Sequence, residues 1–121
     1  MSKETFDARG SKSLDVKKIK SETLNSIIEN SLFKDNKIDF LTIDVEGYEM
    51  NVLKGFDINR YRPDIIVLEF IDNASKEQEF YNNKIQYLIN SELYKYMSQH
   101  IYSLINFVGF DLVFISKDIR K

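Results

Sequence analysis

The sequence predicts an α/β fold in which parallel strands are followed by a C-terminal antiparallel hairpin. Three observations lead there. The runs 38–43 and 65–70 are apolar, too short for helices, and rich in β-branched or aromatic residues, so both read as strands. A helix-forming stretch separates them, and strand, helix, strand in this span is the length of a βαβ unit, whose crossover is nearly always right-handed. Ile101 to Val108 and Phe110 to Ser116 are β-rich runs meeting at Gly109, the pattern of a hairpin.

The totals agree with one packed domain. A chain of 121 residues with 43% hydrophobic and 13% aromatic content can bury a core. A net charge of −2 gives no electrostatic reason to expect nucleic acid or an anionic membrane as partner. The absence of cysteine excludes disulfides and thiolate metal sites and suits a reducing compartment. The polar N-terminus carries neither a signal peptide nor a membrane span, so the expected location is the cytoplasm.

Residues 1–13 carry glycine, serine and mixed charge without an apolar period, and read as a flexible arm. Leu14 to Lys20 alternates weakly among lysines, as a short guarded edge strand would. Leu24, Ile27, Ile28 and Leu32 form one apolar stripe of a short helix, with Ser21 or Thr23 as its cap. The strand at 38–43 is almost continuously apolar and is expected to be buried on both faces. Tyr48 to Gly55 reads as a helix with Lys54 near its C-terminus and Gly55 as a left-handed stop. Arg62-Pro63-Asp64 breaks the chain before the strand at 65–70. The polar stretch 72–90 includes a capping box at Ser75 to Gln78 and is a candidate lid or substrate loop. Ser91 can cap a further helix holding Leu93, Tyr94 and Met97, and the tail 117–121 is expected to fray.

The chemistry concentrates at two strand ends. The first strand delivers Asp44 and Glu46 to its C-terminal end and the second delivers Glu69, which is where open α/β sheets place their ligands. A carboxylate there can position or deprotonate a hydroxyl, given a raised pKa. The structural alternative for Glu46 is that it caps the following helix, accepting its free N–H groups. No metal is assigned, although three carboxylates offer the oxygen ligands that Mg²⁺ or Ca²⁺ prefers. His100, the one histidine, sits at a helix end and reads as a dipole partner or solvated residue. Tyr94, Tyr96, Tyr102 and Phe107 read as core and rim.

At these residues the sequence resembles the FkbM family of methyltransferases. The resemblance rests on Ile38-Asp39-Phe40-Leu41, Asp44-Val45-Glu46-Gly47-Tyr48-Glu49, Val52-Leu53-Lys54-Gly55, Arg62-Pro63 and Ile66-Val67-Leu68-Glu69. Thr23-Leu24 and Ser91-Glu92-Leu93 also fall where the family has them, so it spans roughly Val16 to Ser116. It implies a Rossmann-like methyltransferase sheet, S-adenosylmethionine (S-adenosyl-L-methionine) as cofactor, and methyl transfer to a hydroxyl of a sugar, glycan or small metabolite. It makes Asp44, Glu46 and Glu69 the catalytic candidates and Tyr48 the substrate-binding one. Two positions depart from the family: Thr42 stands where lysine is frequent and Asn25 where aspartate is, so any role of those groups is not carried over.

A family member begins with a strand and a glycine-rich turn that holds the cofactor. Here Gly10, Gly47, Gly55 and Gly109 are isolated, and no such turn links a strand to a helix. Residues 14–116 therefore read as the C-terminal half of a truncated Rossmann-like domain, incomplete as an enzyme on its own. The rival reading is a non-catalytic remnant or assembly partner. Either way the strand at 40–45 loses a neighbour, and its edge needs a cover: a second copy, the N-terminal arm, or a separate chain.

Overall fold

The computed structural model describes residues 4–5, 13–70 and 82–119. The elements are β1 (Glu4–Thr5), β2 (Ser13–Leu14), α1 (Leu24–Glu29), β3 (Phe40–Ile43), α2 (Glu49–Lys54), α3 (Ile58–Tyr61), β4 (Ile65–Glu69), α4 (Asn82–Asn90), α5 (Glu92–Ser98), β5 (Tyr102–Val108) and β6 (Asp111–Ser116). β1 and β2 pair antiparallel as a separate ribbon. The main sheet has the order β3-β4-β6-β5, with β3 and β4 parallel and the other neighbours antiparallel. This is the α/β arrangement expected, parallel strands closed by a hairpin.

Register decides which residues meet. Ile66 lies beside Phe114 and Leu68 beside Leu112, and all four are fully buried. Because strand side chains alternate, these four share one face, on which Leu53 of α2 and Leu93 and Met97 of α5 complete the core. Ile65, Val67 and Glu69 point to the other face and are only half-buried.

Thr23 caps α1 by accepting the Ser26 N–H at 3.2 Å, and Ser91 caps α5 by accepting that of Tyr94 at 3.1 Å. α3 has no counterpart in the sequence reading: four residues are too few for a period, and it forms because Asp57 accepts the Arg60 N–H at 3.0 Å. The hairpin turns at Gly109, whose φ of +61° favours glycine. Tyr102, buried in the core, donates its hydroxyl to the Pro63 carbonyl at 2.7 Å and ties β5 to the chain entering β4.

Several expectations are corrected. β3 is not buried on both faces: Phe40 and Thr42 are exposed, because β3 is the outermost strand and one face lacks cover among the described residues. The strand expected over 14–20 reduces to Ser13–Leu14, since the exposed lysine-rich residues that follow find no sheet to join. Leu32 leaves the apolar stripe and stands 96% exposed, because α1 ends at Glu29 where Ser31 Oγ donates to the Ile28 carbonyl at 2.8 Å. Gly55 is not left-handed (φ −92°); it is needed because a Cβ there would lie 3.1 Å from that of Thr23. Residues 117–119, the described part of the tail, form a turn in which Lys117 N–H donates to the Ile101 carbonyl at 2.7 Å and Asp118 pairs with Arg62 at 2.7 Å. Most of the arm and the capping box at Ser75 to Gln78 lie outside the described residues.

Candidate functional site

The parallel register of β3 and β4 builds the site. Phe40 lies beside Ile65 and Ile43 beside Leu68, so the next step sets Asp44 beside Glu69 at the C-terminal ends of both strands. Side-chain oxygens of Asp44, Glu46 and Glu69 all lie within 4.8 Å of one another. The three acids singled out from the sequence are thus brought together.

Three carboxylates so close cannot all stay ionised cheaply. The Glu69 carboxyl is pushed up to about 7, foremost by its hydrogen bond with Asp44, then by burial and by the charges of Asp44, Glu46 and Glu49. Its Oε2 is shielded from solvent and receives no hydrogen bond. Near neutral pH Glu69 therefore stands between its protonated and ionised forms and can give or take a proton. The oxygen-only donor set also has the chemistry that a hard divalent cation accepts.

Glu46 does not cap α2. Tyr48 holds the N-cap position without a side-chain bond, and the carboxylate that takes the turn's N–H groups is Glu49. Glu49 is 5% exposed, and its Oε1 accepts the N–H of Val45 at 3.1 Å and of Gly47 at 3.3 Å. Those bonds flank Glu46, which is held at φ +52°, a left-handed conformation strained for a residue with a Cβ. Gly47 follows at φ +96°. The sequence reading missed Glu49, since an acid opening a helix reads first as a partner of the dipole. Its signal was its place two residues after a turn glycine.

Tyr48 is exposed and lines a groove of about 360 Å³ with Ser21, Thr23, Asn51, Val52 and Gly55; none of the three carboxylates lines it. His100 is bound within its own helix end, its Nδ1 donating to the Tyr96 carbonyl at 2.7 Å and its ring packed on Tyr96 at 4.5 Å. Tyr102 is core and Tyr94, Tyr96 and Phe107 pack against it.

An α/β sheet with parallel strands, carrying acids at the ends of two of them, has the form of a ligand-handling domain. The sequence matches the Methyltransferase FkbM domain over residues 2–111, nearly its whole length, and the chain belongs to that family. No curated protein and no solved structure matches it. Among the described residues no helix is long and apolar enough to cross a membrane.

Proposed function

We propose that this chain forms the acceptor side of a Rossmann-like O-methyltransferase that uses S-adenosylmethionine to methylate a hydroxyl of a sugar or small metabolite. The observation that carries the reading is the convergence of Asp44, Glu46 and Glu69 at two neighbouring parallel strand ends, in a chain of this family. When bound, S-adenosylmethionine supplies a methyl group on a positively charged sulfur. The donor set fits that charge, since clustered carboxylates favour a cation beside them. The glycine-rich turn that would grip the rest of the cofactor is not found in the sequence, so a further segment is proposed to complete the grip.

Asp44 would orient the acceptor hydroxyl and Glu69 would take its proton as its oxygen gained the methyl group and the sulfur–methyl bond broke to leave the neutral thioether, a general-base role suited to a carboxyl titrating near neutrality. Glu46, whose carboxylate lies within 4.8 Å of the other two, aligns the acceptor. Tyr48, in its groove, contacts the part of the acceptor remote from the hydroxyl. Transfer of a labelled methyl group to a panel of small glycans and hydroxylated metabolites tests the reading, with calorimetry against S-adenosylmethionine as a second measure. No label transfer, and no binding heat at millimolar cofactor, would remove independent methyltransferase activity.

A further inference from the structure

We propose that Glu49 is the positioning residue of the carboxylate site: one of its oxygens holds the peptides that follow Asp44 and Glu46, and so keeps the Glu46 carboxylate beside Asp44 and Glu69. The inference concerns the same site as the methyl-transfer reading and rests on it for what the site acts on. The placement itself stands on the geometry of the chain.

Asp44 and Glu69 owe their places to the sheet, each lying one step beyond the paired residues Ile43 and Leu68. Glu46 has no such support, since it lies three residues past the end of β3. Its carboxylate nonetheless comes within 4.8 Å of the other two. On the way the backbone reverses hand, from a negative φ at Val45 to +52° at Glu46 and +96° at Gly47.

Successive residues of opposite hand turn their N–H groups inward and form a concavity that binds an anion. Here the anion belongs to the chain itself. Buried Glu49 accepts on Oε1 the N–H of Val45 at 3.1 Å and of Gly47 at 3.3 Å, the two that lie on either side of Glu46. One oxygen can serve N–H groups two residues apart only while the residue between them stays folded over. The paired bonds therefore over-determine Glu46 in its strained conformation.

These bonds do not serve the helix. A capping side chain accepts N–H groups of the first helical turn. Val45 and Gly47 both precede the N-cap residue Tyr48, so what Glu49 holds is the turn that carries Glu46.

The placement has a consequence at Glu69. That carboxyl is raised foremost by its hydrogen bond with Asp44, then by burial, then by the charges of Asp44, Glu46 and Glu49 in falling order. Glu49 thus acts on Glu69 twice: directly, as the weakest of those charges, and indirectly, through the stronger charge of the Glu46 it places. Asp111 pairs with Glu69 across the ladder on β6 and is exposed; it is the same in every variant below.

Carbon-13 titration of the Glu69 carboxyl, without acceptor or cofactor, tests this through a cycle of Glu46→Gln and Glu49→Ala. In the otherwise wild-type chain Glu46→Gln is expected to lower the Glu69 midpoint. In the Glu49→Ala chain the midpoint is already lowered, and adding Glu46→Gln is expected to move it less than about half as far. Glu49→Gln keeps the acceptor oxygen and is expected to restore the full effect of Glu46→Gln. Equal effects of Glu46→Gln with Glu49 and with Ala at that position overturn the proposal. Amide exchange in the wild-type chain decides the matter even where Glu49→Ala fails to fold. The Val45 and Gly47 amides are expected to exchange at least about tenfold more slowly than that of Glu46 between them, and comparable rates at all three overturn the proposal. Failure of label transfer in the activity assay would sink the methyl-transfer reading and leave both of these measurements standing.

Discussion

Asp44 and Glu69 stand abreast because each lies four residues beyond a paired position, Phe40 on β3 and Ile65 on β4. Parallel pairing preserves that offset, so one register fixes both carboxyls at one mouth. Glu69 is thereby pushed from an ordinary 4.5 to about 7.

The pH dependence of stability follows from that shift. Between about 4.5 and 7 folded Glu69 holds a proton that the unfolded chain has released. Its contribution is therefore full below 4.5 and is lost as pH rises through 7. Glu69→Gln keeps a neutral donor beside Asp44 and is expected to flatten the fall of the thermal midpoint across this window. Parallel profiles for variant and wild type would refute the raised Glu69 value.

Glu49 is expected to matter more for stability than an acid on a helix surface. Glu49→Ala removes a buried acceptor and leaves the Val45 and Gly47 N–H groups without their partner. The expected cost is about 2–3 kcal/mol, read from denaturant midpoints. Glu49→Gln retains an acceptor oxygen and is expected to recover at least about half of that. Equal losses in both variants would mean that charge, not the two bonds, is what Glu49 supplies.

Gly55→Ala tests the junction of α1 with α2. The new Cβ would press on Thr23 Cβ at 3.1 Å and Cγ2 at 3.2 Å, displacing the α1 cap. Gly55 also accepts the Asn25 N–H at 3.0 Å, while Asn25 Oδ1 accepts that of Asp57 at 2.7 Å. This polar clamp gives Asn25 a structural role and leaves α1 little room to yield. A loss of about 1–3 kcal/mol is expected by thermal unfolding; a change within error would show that α1 shifts freely.

The sequence made the two strand ends legible because their position follows from period and length alone. Asp44 and Glu69 could be placed at one rim before their register was known, and Ser91 and Thr23 announced their helices by side-chain chemistry. What stayed hidden depends on tertiary neighbours. Phe40 and Thr42 look like core residues in a list of apolar runs, and only the sheet order shows one side of β3 to be open. Glu46 and Glu49 are both acids beside a helix start, and only the backbone path at φ +52° decides which receives the turn's N–H groups.

That backbone path sets stability against function at Glu46. A residue with a Cβ in the left-handed region costs of order 1 kcal/mol or more, and Glu46 makes no hydrogen bond that offsets it among those described. Its charge also adds to the repulsion felt at Glu69. Glu46→Gly relieves both, and is expected to raise stability by about 0.5–1 kcal/mol despite the freedom glycine gains in the unfolded chain. If Glu46 aligns the acceptor, the same variant loses methyl transfer while melting higher, and Glu69 titrates nearer its ordinary value. Strain kept at a position where glycine would be easier needs a reason outside folding. A variant that melts lower than wild type would place Glu46 among the residues that hold the turn, and would leave Asp44 and Glu69 as the working pair.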